Sequence, residues 1–235
     1  MNLARLMIDG DEESGTARRV NGVVPALVTN NTDPDRLGRV KLTFPWLSEH
    51  NESDWARVAS LMAGQNRGAV FLPEVGDEVL VAFEHGDINY PYVLGSLWNA
   101  ADRPPETNDN GRNDVRVIRS RSGHTITFSD EENGREHITI RSNGGHSIIL
   151  DDTAGTEKVE IRTDSGHSIV LDDAAGSLVV RDRSGNEIRC RGRTMRISGA
   201  GSIAISARRI SLRGSQIDIE AGSALTLRGG VVRIN

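Results

Sequence analysis

Three histidines recur at the same place in a repeated motif, and imidazole nitrogens are common metal ligands. His124, His146 and His167 each follow a glycine and precede a run of alternating apolar residues. They could line a symmetry axis as cation ligands. A histidine that opens a strand after a glycine turn is usually a surface or inter-chain packing residue, so the sequence favours packing. It predicts neither a metal ion nor another cofactor.

Two pairs of adjacent aspartates, Asp151/Asp152 and Asp172/Asp173, resemble the carboxylate pairs of acid–base catalysts. Each pair lies between two apolar segments and is followed by alanine and glycine. In a turn, aspartate accepts hydrogen bonds from nearby backbone and glycine supplies a positive φ, so both pairs are predicted turns. No phosphate-binding loop, metal-ligand spacing or nucleophile elbow occurs in the sequence. The sequence therefore predicts a protein that is not an enzyme.

These residues belong to a short repeat that begins near Arg119. Three units align, and a weaker fourth follows them. They are SGHTITFSD at 122–130, GGHSIILDD at 144–152, SGHSIVLDD at 165–173 and SGNEI at 184–188. A fixed short period is typical of stacked β-structure.

After Met195 the pattern changes to pairs of apolar residues two positions apart, which recur after roughly seven or eight residues. Residues two apart share one face of a strand, so the pairs form a narrow apolar stripe. One chain has too few residues here for the roughly three repeats that stabilise a stack, whereas three chains around an axis would bury the stripe. The sequence therefore predicts a homotrimer. The predicted trimer core comprises Ile203, Ile205, Ile210, Leu212, Ile217, Ile219, Leu225, Leu227, Val232 and Ile234.

The aromatic residues divide the chain into regions. All except Phe128 lie between Phe44 and Trp98, and a polar, proline-containing segment follows them. The predicted organisation is an N-terminal extension at 1–17, a barrel at 18–100, a linker at 101–118 and a repetitive β-helix spike at 119–235. A net charge of −5 argues against nucleic acid as a partner. Residues 1–17 show no signal-peptide pattern, which predicts assembly in the cytoplasm.

The region 18–100 has the alternation of a small β-barrel. Val40, Leu42 and Phe44 alternate with more polar residues, and a second alternating segment covers 78–83. About five strands with turns between them suit an oligonucleotide/oligosaccharide-binding (OB) barrel. Trp46, Trp55 and Trp98 could stack on bases or sugars, but the acidic balance favours core or interface packing.

Four blocks in this region carry a family resemblance. They are LGRVKLTFPW at 37–46, DWARVA at 54–59, GAVFLPEVGDEVLVAFEHGD at 68–87 and YPYVLGSLWN at 90–99. In order and spacing they resemble the OB module of phage baseplate assembly protein V and of the VgrG spikes of type VI secretion. The repeats after residue 119 are similar to the trimeric β-helix that follows this module. The resemblance implies an all-β protein in which an OB-fold barrel precedes an intertwined, trimeric β-helix needle.

The resemblance also implies a function: the central spike of a contractile injection machine. Such a spike docks on baseplate hub and tube proteins and crosses the target envelope transiently, as part of a phage tail or an injection particle. VgrG proteins carry a hub region before the OB module, so the hub is expected to be another polypeptide. A PAAR-like tip protein is expected on an apolar platform. The platform residues are Val231, Val232, Arg233, Ile234 and Asn235.

Two alternatives remain open from the sequence. A trimeric tail-fibre or adhesin shaft would also be repetitive, but a receptor-binding head is expected at its end. A single-chain β-helix enzyme acting on polysaccharide would need more coils and a groove lined with carboxylates.

Overall fold

The computed structural model of the protein describes residues 19–131 and 134–233, except for the side chains of 48–50. The predicted extension at 1–17 and the predicted core and platform residues Ile234 and Asn235 lie outside the described residues. The chain forms two compact units, with the division between Thr107 and Asn108. No described helix is long and apolar enough to cross a lipid bilayer.

The described residues of the first unit form eight strands. They are β1 (Val23–Asn30), β2 (Lys41–Phe44), β3 (Ser48–Glu52), β4 (Arg57–Val58), β5 (Ala63–Gly64), β6 (Arg67–Gly68), β7 (Glu78–Phe83) and β8 (Pro91–Ser96). Six of them form one sheet in the order β3-β2-β1-β7-β8-β4, while β5 and β6 form a separate hairpin. Strand β4 pairs parallel to β8, and a bridge joins Ala56, just before β4, to Val40, just before β2. The circuit of pairings therefore closes as in an OB barrel.

The barrel core consists of the inward residues of the alternating strands. Val79, Val81 and Phe83 of β7 are buried, while the residues between them are only half-buried. Leu42 and Phe44 of β2 follow the same pattern, which confirms the predicted alternation. The remaining core residues are Val20, Val24, Ala26, Val28, Val40, Ala56 and Val93.

In the described part of the second unit, nine strands form one antiparallel sheet and pair in chain order. The strands are β9 (Val115–Arg119), β10 (Thr125–Glu131), β11 (Arg135–Arg141), β12 (Ser147–Asp151), β13 (Lys158–Arg162), β14 (Ser168–Asp172), β15 (Ser177–Arg181), β16 (Glu187–Arg191) and β17 (Thr194–Ser198). The four repeats supply the turns before β10, β12, β14 and β16. Their glycines, Gly123, Gly145, Gly166 and Gly185, have φ between 85° and 96°, which glycine adopts readily.

Strand β9 begins inside the segment predicted as a linker. Val115 and Val117 alternate with Arg116, and the strand pairs with β10 from Val115 to Arg119. This alternating run is short and follows a long polar segment, so the strand was not predicted from the sequence. The ordered sheet therefore starts four residues before the predicted spike.

Residues 199–233 contain neither helix nor strand. Their apolar pairs are exposed in the single chain: Ile203 and Ile205 are 57% and 74% exposed, and Ile217 is 51% exposed. The side-chain amide of Gln216 donates to the carboxylate of Asp218 at 2.9 Å, so two polar residues two positions apart interact beside Ile217. The predicted all-β class, with a barrel followed by a repetitive β region, is confirmed. The winding of three chains stays a prediction.

Candidate assembly surface

One face of the nine-stranded sheet carries an unbroken row of β-branched side chains. The cross-strand pairings place one such residue from every strand opposite the next. At a strand spacing of about 4.8 Å, the row is about 38 Å long. Its members are Ile118, Ile126, Ile140, Ile148, Ile161, Ile169, Val180, Ile188 and Ile197.

A second row runs beside the first, two residues along each strand and hence on the same face. It contains Phe128, Ile138, Leu150, Val159, Leu171, Leu178, Cys190 and Met195. We call the two rows the apolar face. Most of these side chains are between 36% and 63% exposed in the single chain. A contiguous apolar patch of this extent marks an interaction surface.

The opposite face of the sheet is more polar. At its centre Glu160 is buried between its cross-strand partners Ile149 and Val170, and it forms ion pairs with Arg162 and Lys158. Burying a carboxylate without a partner is costly, and the two ion pairs offset this cost for Glu160.

A second carboxylate on the polar face is held by two guanidinium groups. The Arg189 Nε donates to Glu187 at 2.7 Å, and the Arg181 Nε donates at 3.0 Å. The hydrogen bond from Arg189, followed by that from Arg181, lowers the pKa of Glu187 to about 2. The polar face therefore carries satisfied charges, whereas none of the residues that the structure describes covers the apolar face.

The three histidines link successive turns along one edge of the sheet. The Nδ1 atoms of His124, His146 and His167 accept the backbone N–H groups of Asn143, Asp164 and Arg183 at 3.1, 3.2 and 3.4 Å. In the fourth turn, the Oδ1 of Asn186 accepts the Ala200 N–H at 2.9 Å. We call this series the turn ladder. It requires an unprotonated Nδ1, which agrees with a packing role.

The asparagine of the fourth turn predicts which substitutions the turn ladder tolerates. Changing His146 to Asn keeps an acceptor, so we expect a melting temperature close to that of the unaltered protein. Changing His146 to Leu removes the acceptor of the Asp164 N–H, and we expect a loss of roughly 3–5 °C. Thermal unfolding followed by circular dichroism measures both variants. Equal melting temperatures for the two would show that the hydrogen bond contributes nothing.

The paired aspartates form turns. The Oδ1 of Asp151 accepts the Thr153 N–H at 3.0 Å, and the Oδ1 of Asp172 accepts the Ala175 N–H at 2.7 Å. Hydrogen bonding from Thr153 lowers the pKa of Asp151. Among the described residues, no group of three or more His, Cys, Asp or Glu side chains is arranged to hold a metal ion.

In the barrel, Asp33 organises the loop between β1 and β2. Its carboxylate accepts the backbone N–H groups of Asp35, Leu37 and Arg39 at 3.0–3.2 Å and two hydrogen bonds from the Arg39 guanidinium. The guanidinium holds the pKa of Asp33 well below its usual range. We call this arrangement the Asp33 lock. The Asp-Pro-Asp segment predicts the turn at 33–35 from the sequence, but not its contact with Arg39.

None of the three tryptophans lies in the barrel core. Trp55 is half-buried beneath Arg39 and Lys41, whose charged groups are 5.8 and 5.7 Å from its ring centroid. Trp46 and Trp98 are 37% and 67% exposed. The core part of the prediction for these residues is therefore wrong, because valine and phenylalanine already fill the small interior. Interface packing stays a prediction.

The trimer core predicted from the sequence covers only part of the exposed apolar surface. The predicted residues 203–232 are exposed in the single chain, as are the platform residues Val231 and Val232. The apolar face from Ile118 to Ile197 was not included. Its signal was present in the repeats, where Ile126/Phe128, Ile148/Leu150 and Ile169/Leu171 show the same two-residue period.

Comparison with known proteins identifies the first unit. Residues 24–98 match the family model of the type VI secretion system/phage-baseplate injector OB domain. The chain is 32% identical over 128 residues to the type VI secretion system spike protein VgrG1c of Pseudomonas aeruginosa, across 50% of this chain and 18% of VgrG1c. It is 41% identical over 95 residues to VgrG5 of the same organism, across 37% of this chain and 12% of VgrG5.

A toxin-bearing relative shows the same limited match. The chain is 42% identical over 77 residues to the actin cross-linking toxin VgrG1 of Vibrio cholerae, across 31% of this chain and 7% of that protein. The chain thus spans a small part of the length of these relatives. Over residues 24–98 it contains a baseplate- or spike-type OB domain of contractile injection systems. Its barrel is an injector OB domain, and about half of its length is distantly homologous to VgrG spike proteins.

Proposed function

We propose that the protein is the central spike of a contractile injection machine and works as a homotrimer. The observation that carries this proposal is the apolar face, which continues across all nine strands and is uncovered in the single chain. Three copies that turn this face inward would bury both rows. The polar face would lie on the outside of the trimer, where Glu160 and Glu187 keep their ion pairs.

The dimensions of the sheet suit three copies. Strands β12 to β16 each contain five residues, which corresponds to a width of about 17 Å. A triangle with sides of this length has its centre about 5 Å from each side, half the usual distance of about 10 Å between packed sheets. Three sheets would therefore fill the interior with side chains, whereas four would leave a central hole.

Residues 199–233 are also proposed to bury their apolar side chains through association of three chains. Their apolar pairs lack any partner surface in the described chain, and the segment forms no strand by itself. In the proposed spike, three such segments wind together. Each strand edge then pairs with a neighbouring chain, and the apolar stripes meet on the axis. Such a needle is a passive, stiff point that is driven through the target envelope and has no enzymatic activity of its own.

The barrel is proposed to dock the spike on hub and tube proteins. Exposed apolar side chains support this role: Leu61, Val70 and Phe71, on either side of the β5–β6 hairpin, are 95%, 88% and 70% exposed. Trp98 adds a fourth exposed apolar side chain in the same unit. A protein surface, rather than nucleic acid, suits these residues and the net charge of −5.

Copurification tests the docking proposal. We expect the tagged protein to capture a ring-forming baseplate or hub protein when both are co-expressed. Replacing Leu61 and Phe71 by serine should reduce capture at least tenfold, because exposed apolar anchors contribute most of the binding energy. Replacing the exposed Glu106 by serine is the control. Submicromolar, salt-dependent binding of single-stranded DNA, without capture of a baseplate protein, would contradict the proposal.

The C-terminal residues are proposed to carry a PAAR-like tip protein. Val231 and Val232 are 76% and 51% exposed in the single chain, and exposed apolar side chains of this kind suit a binding partner. Deleting residues 231–235 should abolish capture of the tip protein and leave the barrel and the trimer folded. A truncated spike that still binds the tip would contradict this role. Unaided hydrolysis of peptidoglycan or polysaccharide by the full chain would contradict the passive needle.

A further inference from the structure

The nine-stranded sheet has two edges that are formed by turns, and these two edges differ in charge. One edge contains the turn ladder, and we call it the basic edge. An arginine stands at the start of each of its four turns, and Arg183 adds another charge; two of the turn arginines, Arg162 and Arg181, are also ion-paired with Glu160 and Glu187. Only two aspartates lie in these turns, Asp164 and Asp182, and Asp182 is hydrogen-bonded to Asn186. The four arginines at the turns are Arg119, Arg141, Arg162 and Arg181.

The other edge is acidic at its two central turns, between β12 and β13 and between β14 and β15. These turns contain Asp151, Asp152, Glu157, Asp172 and Asp173, and Lys158, the cross-strand partner of Asp151 and Asp172, is a cation beside them. The first aspartate of each pair closes its turn, as described above. The second, Asp152 or Asp173, is exposed, and its side-chain carboxylate has no hydrogen-bond or ion-pair partner within the described part of the chain. We call these two turns the acidic edge.

Rotational symmetry determines which edges meet in the proposed trimer. When three identical sheets face a common axis, one turn edge of each copy lies beside the opposite turn edge of the next. We propose that the basic edge of each copy docks against the acidic edge of its neighbour, so that three identical seams close the spike. This inference rests on the proposed trimer and adds which side chains form its seams.

The spacing of the turns supports this arrangement. Turns on either edge recur every second strand, or about 9.6 Å, and the two series are offset by one strand. An acidic turn of one copy therefore fits between two basic turns of its neighbour. Asp152 would lie between the turns of Arg141 and Arg162, and Asp173 between those of Arg162 and Arg183. Such pairs act mainly on the rate and specificity of association, and the apolar face supplies the affinity.

Charge reversal tests the seams in the full chain. One variant carries Asp152→Lys and Asp173→Lys, a second carries Arg141→Glu and Arg183→Glu, and a third combines all four changes. The rate of trimer formation is measured by light scattering after dilution from denaturant at low ionic strength. We expect each double variant to assemble roughly tenfold more slowly, because the substituted side chains then face like charges across the seam and the altered edge loses its net charge. The fourfold variant should recover to within about threefold of the unaltered rate.

Controls separate the seams from general effects of charge. Changing Asp102 and Glu106 to Lys alters the net charge equally in the other unit and should leave the assembly rate unchanged. In 0.5 M salt, with a Debye length of about 4 Å, the differences should shrink. The proposed seams would be wrong if the double variants assembled at the unaltered rate, or if the fourfold variant assembled as slowly as the double variants. Neither result would contradict the proposed trimer. A monomeric unaltered protein would overturn both.

Discussion

Replacing Ile140 by aspartate should convert the protein from a trimer into monomers at micromolar concentration. Ile140 lies in the longer row of the apolar face, between Ile126 and Ile148 on the neighbouring strands. In the proposed spike the change would bring three carboxylates into one apolar layer near the axis. Burying each charge without a partner costs several kcal/mol, which is enough to shift the association equilibrium by more than a hundredfold. Sedimentation or light scattering measures the outcome.

The residue before Ile140 provides a matched control. Thr139 belongs to the same strand but points to the polar face, opposite Thr127 and Ile149. Changing Thr139 to aspartate should leave the trimer intact and lower its melting temperature by at most a few degrees. Equal behaviour of the two variants would show that the two faces do not differ in the assembly and would contradict an inward apolar face.

Replacing Ile217 by aspartate should disrupt the winding of residues 199–233. Ile217 is a predicted core residue, and it is 51% exposed in the single chain. Three aspartates in one layer of a narrow stripe have no room for compensating water. Because the nine-stranded sheet retains its own apolar face, we expect the trimer to persist while the C-terminal segment loses protease resistance by at least tenfold. Limited proteolysis followed by mass spectrometry locates the cleavage.

Arg213 serves as the control for Ile217. It belongs to the polar series of the same segment, and Arg213→Asp should leave the protease resistance within about twofold of the unaltered level. Rapid cleavage of both variants, or of neither, would contradict a specific apolar stripe in this segment.

The parts of the fold that can be predicted from the sequence are those in which apolar and polar residues alternate with a period of two. In the barrel each strand buries one face, so Val79, Val81 and Phe83 identify both the strand and its inward side. The turns of the second unit were also visible, because Gly123 and its equivalents recur with the repeat. The spacing of apolar residues predicts a strand and its buried face where the same chain also supplies the residues that cover that face.

Other features depend on contacts that local spacing does not show. The Nδ1 of His146 accepts an N–H from a turn 18 residues away, so its role becomes visible only when the turns are stacked. The Asp33 lock combines one side chain with three backbone groups and a guanidinium. Neither the His146 hydrogen bond nor the Asp33 lock produces a pattern of apolar residues in the sequence. The trimer core was predicted only at residues 203–234, where pairs of apolar residues recur every seven or eight residues.

The molar mass of the purified full chain tests the proposed spike most directly. Light scattering at low micromolar concentration should give three times 25.5 kDa, and the mass should stay constant on tenfold dilution. A cooperatively folding monomer of 25.5 kDa, with the apolar face exposed to water, would contradict the central claim, as would a stable dimer or tetramer.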